Sequence, residues 1–163
     1  MPGVSRSRSE GRYEAAAIAF QQAVTASPSD GVLRGNLGDA LSLMNRKTEA
    51  RQAWLESVRL DRQALVVNPN DATTFARIAL REAKLGHRSA AEADITRALS
   101  INASDSEVLY HGAAVRALNG DEEEALTLLE RALKQGYSAA VARRDRDLDG
   151  IRHTARFRQL VGQ

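Results

Sequence analysis

Residues 72–105 read ATTFARIALREAKLGHRSAAEADITRALSINASD, and this stretch predicts the fold. Its first half carries an apolar stripe at helical spacing, formed by Phe75, Ile78 and Ala79. Gly86 then suits the end of a helix, because glycine readily adopts a left-handed conformation. The second half carries another apolar stripe, formed by Ala91, Ile95, Ala98 and Leu99. The stretch therefore predicts two helices joined by a turn, which is a helical hairpin.

Short polar motifs predict where three of the helices begin. Each motif is a Ser or Asp three residues before a Glu, a spacing at which both side chains can cap backbone amides. The motifs are Ser89 with Glu92, Ser104 with Glu107, and Asp121 with Glu124. We expect the first residue of each pair to open a helix.

The same pattern recurs along the chain at intervals of 34, 41 and 34 residues. An alanine marks each unit, and a large apolar residue follows it four positions later. The pairs are Ala16 and Phe20, Ala50 and Trp54, Ala91 and Ile95, and Ala125 and Leu129. A period of this length is typical of stacked units, none of which buries its apolar face alone. Such stacks usually offer a binding surface rather than a catalytic centre.

These units resemble the tetratricopeptide repeat, a helix-turn-helix unit of 34 residues. The first unit keeps Gly11, Tyr13, Ala16, Phe20, Ala23 and Pro28, and the second keeps Leu37, Gly38, Ala50, Trp54 and Pro69. The resemblance implies an all-α fold, a right-handed α-solenoid of helical hairpins with a C-terminal helical cap. The expected segments are a disordered leader at 1–10, a half unit at 11–30, units at 31–71, 72–105 and 106–137, and the cap at 138–163.

The first unit departs from the pattern because it lacks its first helix. The helix predicted from Tyr13 to Ala26 should therefore expose part of the face that carries Ala16 and Phe20. We expect this face either to pair with a second copy, giving a homodimer through Tyr13 and Phe20, or to meet an upstream segment.

The second unit departs from the pattern because it is seven residues longer. Seven residues are nearly two helical turns, so a helix can lengthen by about 10 Å while its face rotates by only about 20°. Residues 48–67 are therefore predicted to form one long helix, and not a helix followed by a loop.

The segment Asp-Arg-Asp-Leu-Asp-Gly at residues 145–150 matches the opening of an EF-hand calcium loop. Arg156 stands where such a loop needs glutamate, and neighbouring arginines oppose a cation. We therefore interpret the segment as a helix-capping, salt-bridged turn. Residues 130–161 also resemble the segment that ends tetratricopeptide arrays in many bacterial multidomain kinases and cyclases. That resemblance implies docking through Leu148, Ile151, Phe157 and Leu160.

Composition argues against several classes of function. The formal net charge of +2 and the 4% aromatic content do not favour nucleic acid as a partner. There is no cysteine, and His87, His111 and His153 lack metal-ligand spacing, so neither a metal nor a cofactor is predicted. No apolar run approaches the roughly 20 residues that span a bilayer. The sequence predicts no membrane partner and a cytoplasmic location.

The resemblance also implies where a partner binds, because the first helix of each repeat lines the concave side. Seven polar residues are expected to form a partner-binding groove there: Asn36, Asp39, Thr73, Arg77, Lys84, Tyr110 and His111. Asn36 and Arg77 match residues with which some family members clamp a terminal carboxylate. Because Thr73 replaces the lysine of that clamp, a looser groove for an extended or helical segment is favoured. A merely solvated face is the alternative.

The sequence carries no nucleophile, phosphate or dinucleotide motif, so it does not predict an enzyme. The main hypothesis is a non-catalytic protein–protein interaction scaffold that binds a peptide or a partner helix in the groove. The alternative is a self-association or intramolecular regulatory module of a larger signalling protein with a kinase-like or cyclase-like parent.

Overall fold

The computed structural model describes residues 8–162, and over this range the chain forms helices and no strand. The helices are α1 (Arg8–Ala26), α2 (Gly31–Leu43), α3 (Lys47–Val67), α4 (Ala72–Lys84), α5 (Arg88–Ile101), α6 (Ser106–Asn119), α7 (Glu122–Lys134), α8 (Ala139–Ala142) and α9 (Ala155–Val161). A 3₁₀ turn at Arg146–Leu148 precedes α9. The all-α prediction is confirmed. The chain divides into two units, unit 1 at residues 1–64 and unit 2 at residues 65–163.

Unit 1 is held together by close approach between α2 and α3. A side-chain carbon at Gly38 would lie only 2.5 Å from Cδ1 of Trp54 and 3.2 Å from the carbonyl oxygen of Ala50. The Trp54 indole donates a hydrogen bond to Asp39 Oδ1 at 2.9 Å, which fixes the ring over the glycine. Gly38 therefore permits this close packing of the two helices.

A second contact in unit 1 joins the start of α2 to α3. Ser57 Oγ donates to the carbonyl oxygen of Gly31 at 2.7 Å, and both Ser57 and Asp61 are buried. Asp30 caps α2, because its Oδ1 accepts hydrogen bonds from the amides of Val32 and Leu33. Asp30 therefore satisfies two of the backbone amides at the start of α2.

Unit 2 consists of two helical hairpins followed by a C-terminal segment. Helices α4 and α5 pack as one hairpin, α6 and α7 as the other, and α4 also packs against α6. A continuous core includes the fully buried Ala79, Ile95, Leu109, Ala113 and Leu129. Gly86 has φ +81° after α4, as the sequence predicts for the residue that ends this helix. The hairpin predicted at 72–105 is confirmed.

The C-terminal segment docks on unit 2 through apolar side chains. Leu148, Ile151 and Phe157 are buried in the unit 2 core, and Leu160 packs against it. Gly150 lies against α6, where a side-chain carbon would be 3.0 Å from the carbonyl oxygen of Ala117. The docking role predicted for these four apolar residues is confirmed.

The long helix predicted at 48–67 is confirmed, since α3 extends from Lys47 to Val67. At the other end of the chain, α1 begins at Arg8, so residues 8–10 are helical although they were expected to belong to a disordered leader. Glu10 in the first turn favours this earlier start, because an acidic side chain stabilises a helix N-terminus. Residues 1–7 of the expected leader lie outside the described residues.

The predicted helix starts at Ser89 and Ser104 are wrong by one or two residues. Asp105 opens α6, because its Oδ1 lies 2.9 Å from the amides of both Glu107 and Val108. Helix α5 begins at Arg88, and its N-cap residue, His87, makes no capping bond through its side chain.

Asp121 does stand at the N-cap of α7, as predicted, but its carboxylate caps no amide. It accepts a hydrogen bond from Arg88 at 2.8 Å instead. The serine and aspartate motifs therefore locate the turns correctly. Whether a given side chain caps a helix amide also depends on the donors of the neighbouring hairpin, as Arg88 shows for Asp121.

Candidate functional site

The candidate partner-binding residues of unit 2 begin on α4 with Thr73 and Arg77, which are one helical turn apart and half-buried. Asp71 caps α4 by accepting from the Thr74 amide at 3.0 Å and from the Thr74 hydroxyl at 2.7 Å. The same hydroxyl accepts a hydrogen bond from Arg77 at 2.8 Å. The guanidinium of Arg77 is thus held in a defined position beside the start of α4.

The charge of Asp71 reflects these contacts. Partial burial opposes ionisation of its carboxyl, but the hydrogen bonds from Thr74 and the positive charge of Arg77 outweigh it. Together they hold the pKa of Asp71 below its usual range. The Asp71 carboxylate therefore stays ionised next to Arg77.

Lys84 and Tyr110 are engaged by the C-terminal segment and do not face an open groove, which corrects the expectation for these two residues. Lys84 Nζ lies 2.8 Å from Asp147 Oδ2, and only 9% of the Lys84 side chain is exposed. The Tyr110 hydroxyl donates to Asp145 Oδ2 at 2.5 Å. The Tyr110 ring stacks on Tyr137 with centroids 3.8 Å apart and planes 10° apart. The acidic turn at residues 145–147 covers both side chains.

The two stacked phenols are held in their neutral form. Burial and then the charge of Asp145 raise the pKa of Tyr110. Burial and then Asp145 also raise the pKa of Tyr137, to about 12. The folded state therefore keeps protons on these hydroxyls at a pH where unfolded tyrosines, with a pKa of about 10, begin to lose them.

This shift predicts that unit 2 becomes less stable at alkaline pH. The pKa of each tyrosine is higher in the folded state than in the unfolded state, where it is about 10. Below about pH 10 the stabilising contribution is therefore fully present. It is lost as the pH rises towards the pKa values of the folded state. We expect urea unfolding of unit 2, followed by the near-ultraviolet tyrosine signal of the stacked pair, to shift to lower urea between about pH 9 and about pH 11. Replacing Tyr137 with Phe should reduce the shift, whereas replacing Tyr13 should not. An unchanged midpoint in the native protein would contradict the assignment.

The segment at 145–150 is a salt-bridged, capping turn, as the sequence analysis favoured over a calcium loop. Asp145 Oδ1 accepts from the amide of Asp147 at 2.9 Å and so caps the 3₁₀ turn. The carboxylates of Asp147 and Asp149 pair with Lys84 and Arg152. Over residues 8–162, no group of three or more His, Cys, Asp or Glu side chains could hold a metal ion.

The other three residues predicted for the groove are His111 in unit 2 and Asn36 and Asp39 in unit 1. The half-buried ring of His111 lies 6.4 Å from the ring of Tyr110, at an interplanar angle of 52°. In unit 1, Asp39 is committed to Trp54, as described above, while Asn36 is half-buried on α2. The candidate residues that remain are Thr73, Arg77 and His111 in unit 2, and Asn36 in unit 1.

Sequence reasoning missed the most exposed large apolar residue of α1. Ile18 is 55% exposed, whereas Phe20 packs against the core of unit 1. Helix α1 packs against α2. The sequence does contain a signal, since residues 15–26, which form the second part of α1, include no charged residue.

None of the helices described between residues 8 and 162 is both long enough and apolar enough to cross a membrane.

Comparison with known proteins finds a family match and structural likenesses. The family model described as "Tetratricopeptide repeat" matches residues 7–30. No curated protein matches the sequence. The solved structure titled "Crystal structure of MamA" is similar over 94% of this chain and 90% of that chain, with 15% sequence identity and a TM-score of 0.44.

The matched segment and the helical hairpins agree with the repeat spacing of the sequence. Repeats of this kind generally mediate contacts between proteins, and proteins built from them are typically not catalysts. The repeat matched at residues 7–30, taken with the hairpins of unit 2, supports a tetratricopeptide-repeat assignment.

Proposed function

We propose that the chain is a non-catalytic scaffold that binds a peptide or a partner helix through the polar face of α4 and α6 in unit 2. The observation that carries this proposal is the contrast between two faces of α4. Ala76, Ile78 and Ala79 are fully buried, whereas Thr73 and Arg77 stay partly exposed and Arg77 is held in place by Thr74. A guanidinium fixed in this way loses little side-chain freedom when a carboxylate or a backbone carbonyl binds it.

The proposal predicts that capture of a protein partner depends on Arg77. We expect Arg77→Ala to weaken capture from lysate of the source cell by at least about tenfold, because an oriented arginine is a common hot spot of interfaces. Arg144→Ala is the matched control, since it removes an exposed arginine of the C-terminal segment. Circular dichroism confirms folding of each variant. Equal capture by native protein and Arg77→Ala would overturn the proposal.

Asn36 calls for a separate variant because it belongs to unit 1. An Asn36→Ala protein should retain its fold, since the side chain lies on the half-exposed side of α2. If Asn36 takes part in partner binding, this variant also weakens capture. If the partner binds only the face of α4 and α6, Asn36→Ala captures the partner as well as the native protein does, whereas Arg77→Ala does not.

A second function, self-association, is supported by the exposed apolar face of α1. Ile18 projects from the uncharged half of this helix, where pairing with a second copy would bury it without removing a charge from water. Such a module could regulate a larger signalling protein by bringing two copies together. Tyr13 and Phe20 flank this face in sequence, but Phe20 packs against the unit 1 core and is a poor site for a test.

Self-association predicts a molar mass that rises with protein concentration in light scattering. We expect Ile18→Asp to keep the protein monomeric over that range, because a buried interface does not tolerate an unpaired carboxylate. Val141→Asp is the control, since Val141 is similarly exposed but lies in unit 2. A native protein that stays monomeric at every concentration, or a dimer unaffected by Ile18→Asp, would contradict this function.

A further inference from the structure

We propose that the peptide bond between Asp149 and Gly150 is a site of spontaneous isomerisation to isoaspartate in the folded protein. Asp149 directly follows the 3₁₀ turn, and 61% of its side chain is exposed. The next residue is a glycine, which has no side chain to shield its backbone nitrogen. The site therefore combines an accessible carboxyl group with an accessible nucleophile on the adjacent residue.

The chemistry needs only water. The backbone nitrogen of Gly150 attacks Cγ of Asp149, forming an N–Cγ bond, and the amide proton leaves with the carboxyl hydroxyl as one water molecule. This step closes a five-membered succinimide ring. A water molecule then adds to the main-chain carbonyl carbon of Asp149 and breaks its bond to nitrogen. The main chain afterwards runs through Cβ and Cγ, and the former main-chain carbonyl is a free carboxylate.

Within residues 8–162, the backbone nitrogen of Gly150 is not held by a hydrogen bond in the folded state. Among the described residues, the Gly150 amide donates no hydrogen bond, although the amides on either side of it do. Asp149 donates to the Arg146 carbonyl at 3.0 Å, and Ile151 donates to the Leu148 carbonyl at 3.1 Å. The ion pair of Asp149 Oδ1 with Arg152 Nε at 3.0 Å is solvent-exposed and therefore only weakly restrains the carboxyl group.

The chain contains a natural comparison at Asn119 and Gly120. An asparagine before glycine forms the same ring faster in an unfolded chain, because ammonia leaves without prior protonation of a carboxylate. In the fold, however, Asn119 is the last residue of α6, its Nδ2 atom is buried, and the Gly120 amide donates to Ala117 at 3.2 Å. Folding should therefore protect Asn119 much more than Asp149.

Isomerisation would matter because of where Gly150 lies. It lies against the Ala117 carbonyl of α6, where an added side-chain carbon would be only 3.0 Å from the carbonyl oxygen. The isoaspartyl linkage adds one methylene group to the main chain next to this contact. We expect it to loosen the docking of the C-terminal segment on unit 2.

The test compares both sites in native and urea-unfolded protein at mildly acidic pH. Trypsin releases residues 147–152 and 117–131 as separate peptides, and fragment ions identify isoaspartate in each. For each site, the rate of isoaspartate formation in the native protein is divided by the rate in the unfolded protein. We expect this ratio to be at least about tenfold larger for Asp149 than for Asn119, because only the Gly120 amide is hydrogen-bonded.

Asp149→Glu is the matched variant, since it keeps the charge near Arg152 but cannot close the five-membered ring. It should eliminate isoaspartate from residues 147–152 and leave the rate at Asn119 unchanged. Equal ratios at the two sites, a larger ratio for Asn119, or isoaspartate that persists in Asp149→Glu would each overturn the proposal.

Discussion

Replacing Gly38 with alanine should destabilise unit 1 by about 1–3 kcal/mol, because the added carbon has no room between α2 and α3. The carbon would lie 2.5 Å from the Trp54 ring and 3.2 Å from the Ala50 backbone. The ring could move only by breaking its hydrogen bond to Asp39, and the backbone could move only by separating the two helices. This steric cost exceeds the gain of up to about 1 kcal/mol that alanine normally gives within a helix.

Gly11 provides the control because it also lies within a helix but has no atom within 4 Å of the added carbon. Gly11→Ala should therefore stabilise unit 1 by about 0.5–1 kcal/mol. Urea unfolding followed by the fluorescence of Trp54, the only tryptophan, measures both effects, and circular dichroism checks the helix content. If the two variants change the free energy of unfolding in the same direction, Gly38 is not required for the close packing of α2 and α3.

Removing the Phe157 ring should have the largest effect on unit 2, with Phe157→Ala lowering the free energy of unfolding by about 3–5 kcal/mol. The ring is only 2% exposed, and α9 places it in the unit 2 core. Its amide is also bonded to Thr154, which caps α9, so the surrounding backbone cannot easily close the cavity.

The near-ultraviolet tyrosine signal is a suitable readout for Phe157→Ala. The stacked rings of Tyr110 and Tyr137 should lose their fixed geometry when the C-terminal segment is released. Gln159→Ala is the control, since Gln159 is exposed on the same helix and its truncation should change stability by less than about 0.5 kcal/mol. Equal stability of the two variants would show that the segment is not part of the cooperative core.

The repeat spacing predicted the helices well because local apolar periodicity determines them. The seven additional residues near Trp54 kept the helical phase, so α3 could be predicted as a single helix. The capping residues were harder to predict, because several neighbouring polar side chains compete for the same amides. Only the fold shows that Asp105 reaches the amides of α6 and that Asp121 is drawn to Arg88.

The candidate site was predicted less well because its key contacts are distant in sequence. Nothing in the residues around Lys84 and Tyr110 indicates that Asp147 and Asp145 lie against them. A helical stripe shows which residues share a face, but it does not show which other segment covers that face. The exposure of Ile18 was missed for a related reason, since the repeat pattern emphasises Phe20, which is packed.

The contacts of Lys84 and Tyr110 with the acidic turn also have a consequence for synthesis of the chain on the ribosome. Asp145 follows Tyr110 by 35 residues, and Asp147 follows Lys84 by a still longer interval. Helices α4 to α6 therefore leave the ribosome with a phenol and an ammonium group that have not yet met these carboxylates. Unit 2 can complete its packing only after residues 145–161 have emerged, so its final folding step is late in translation and depends on the segment made last within the unit.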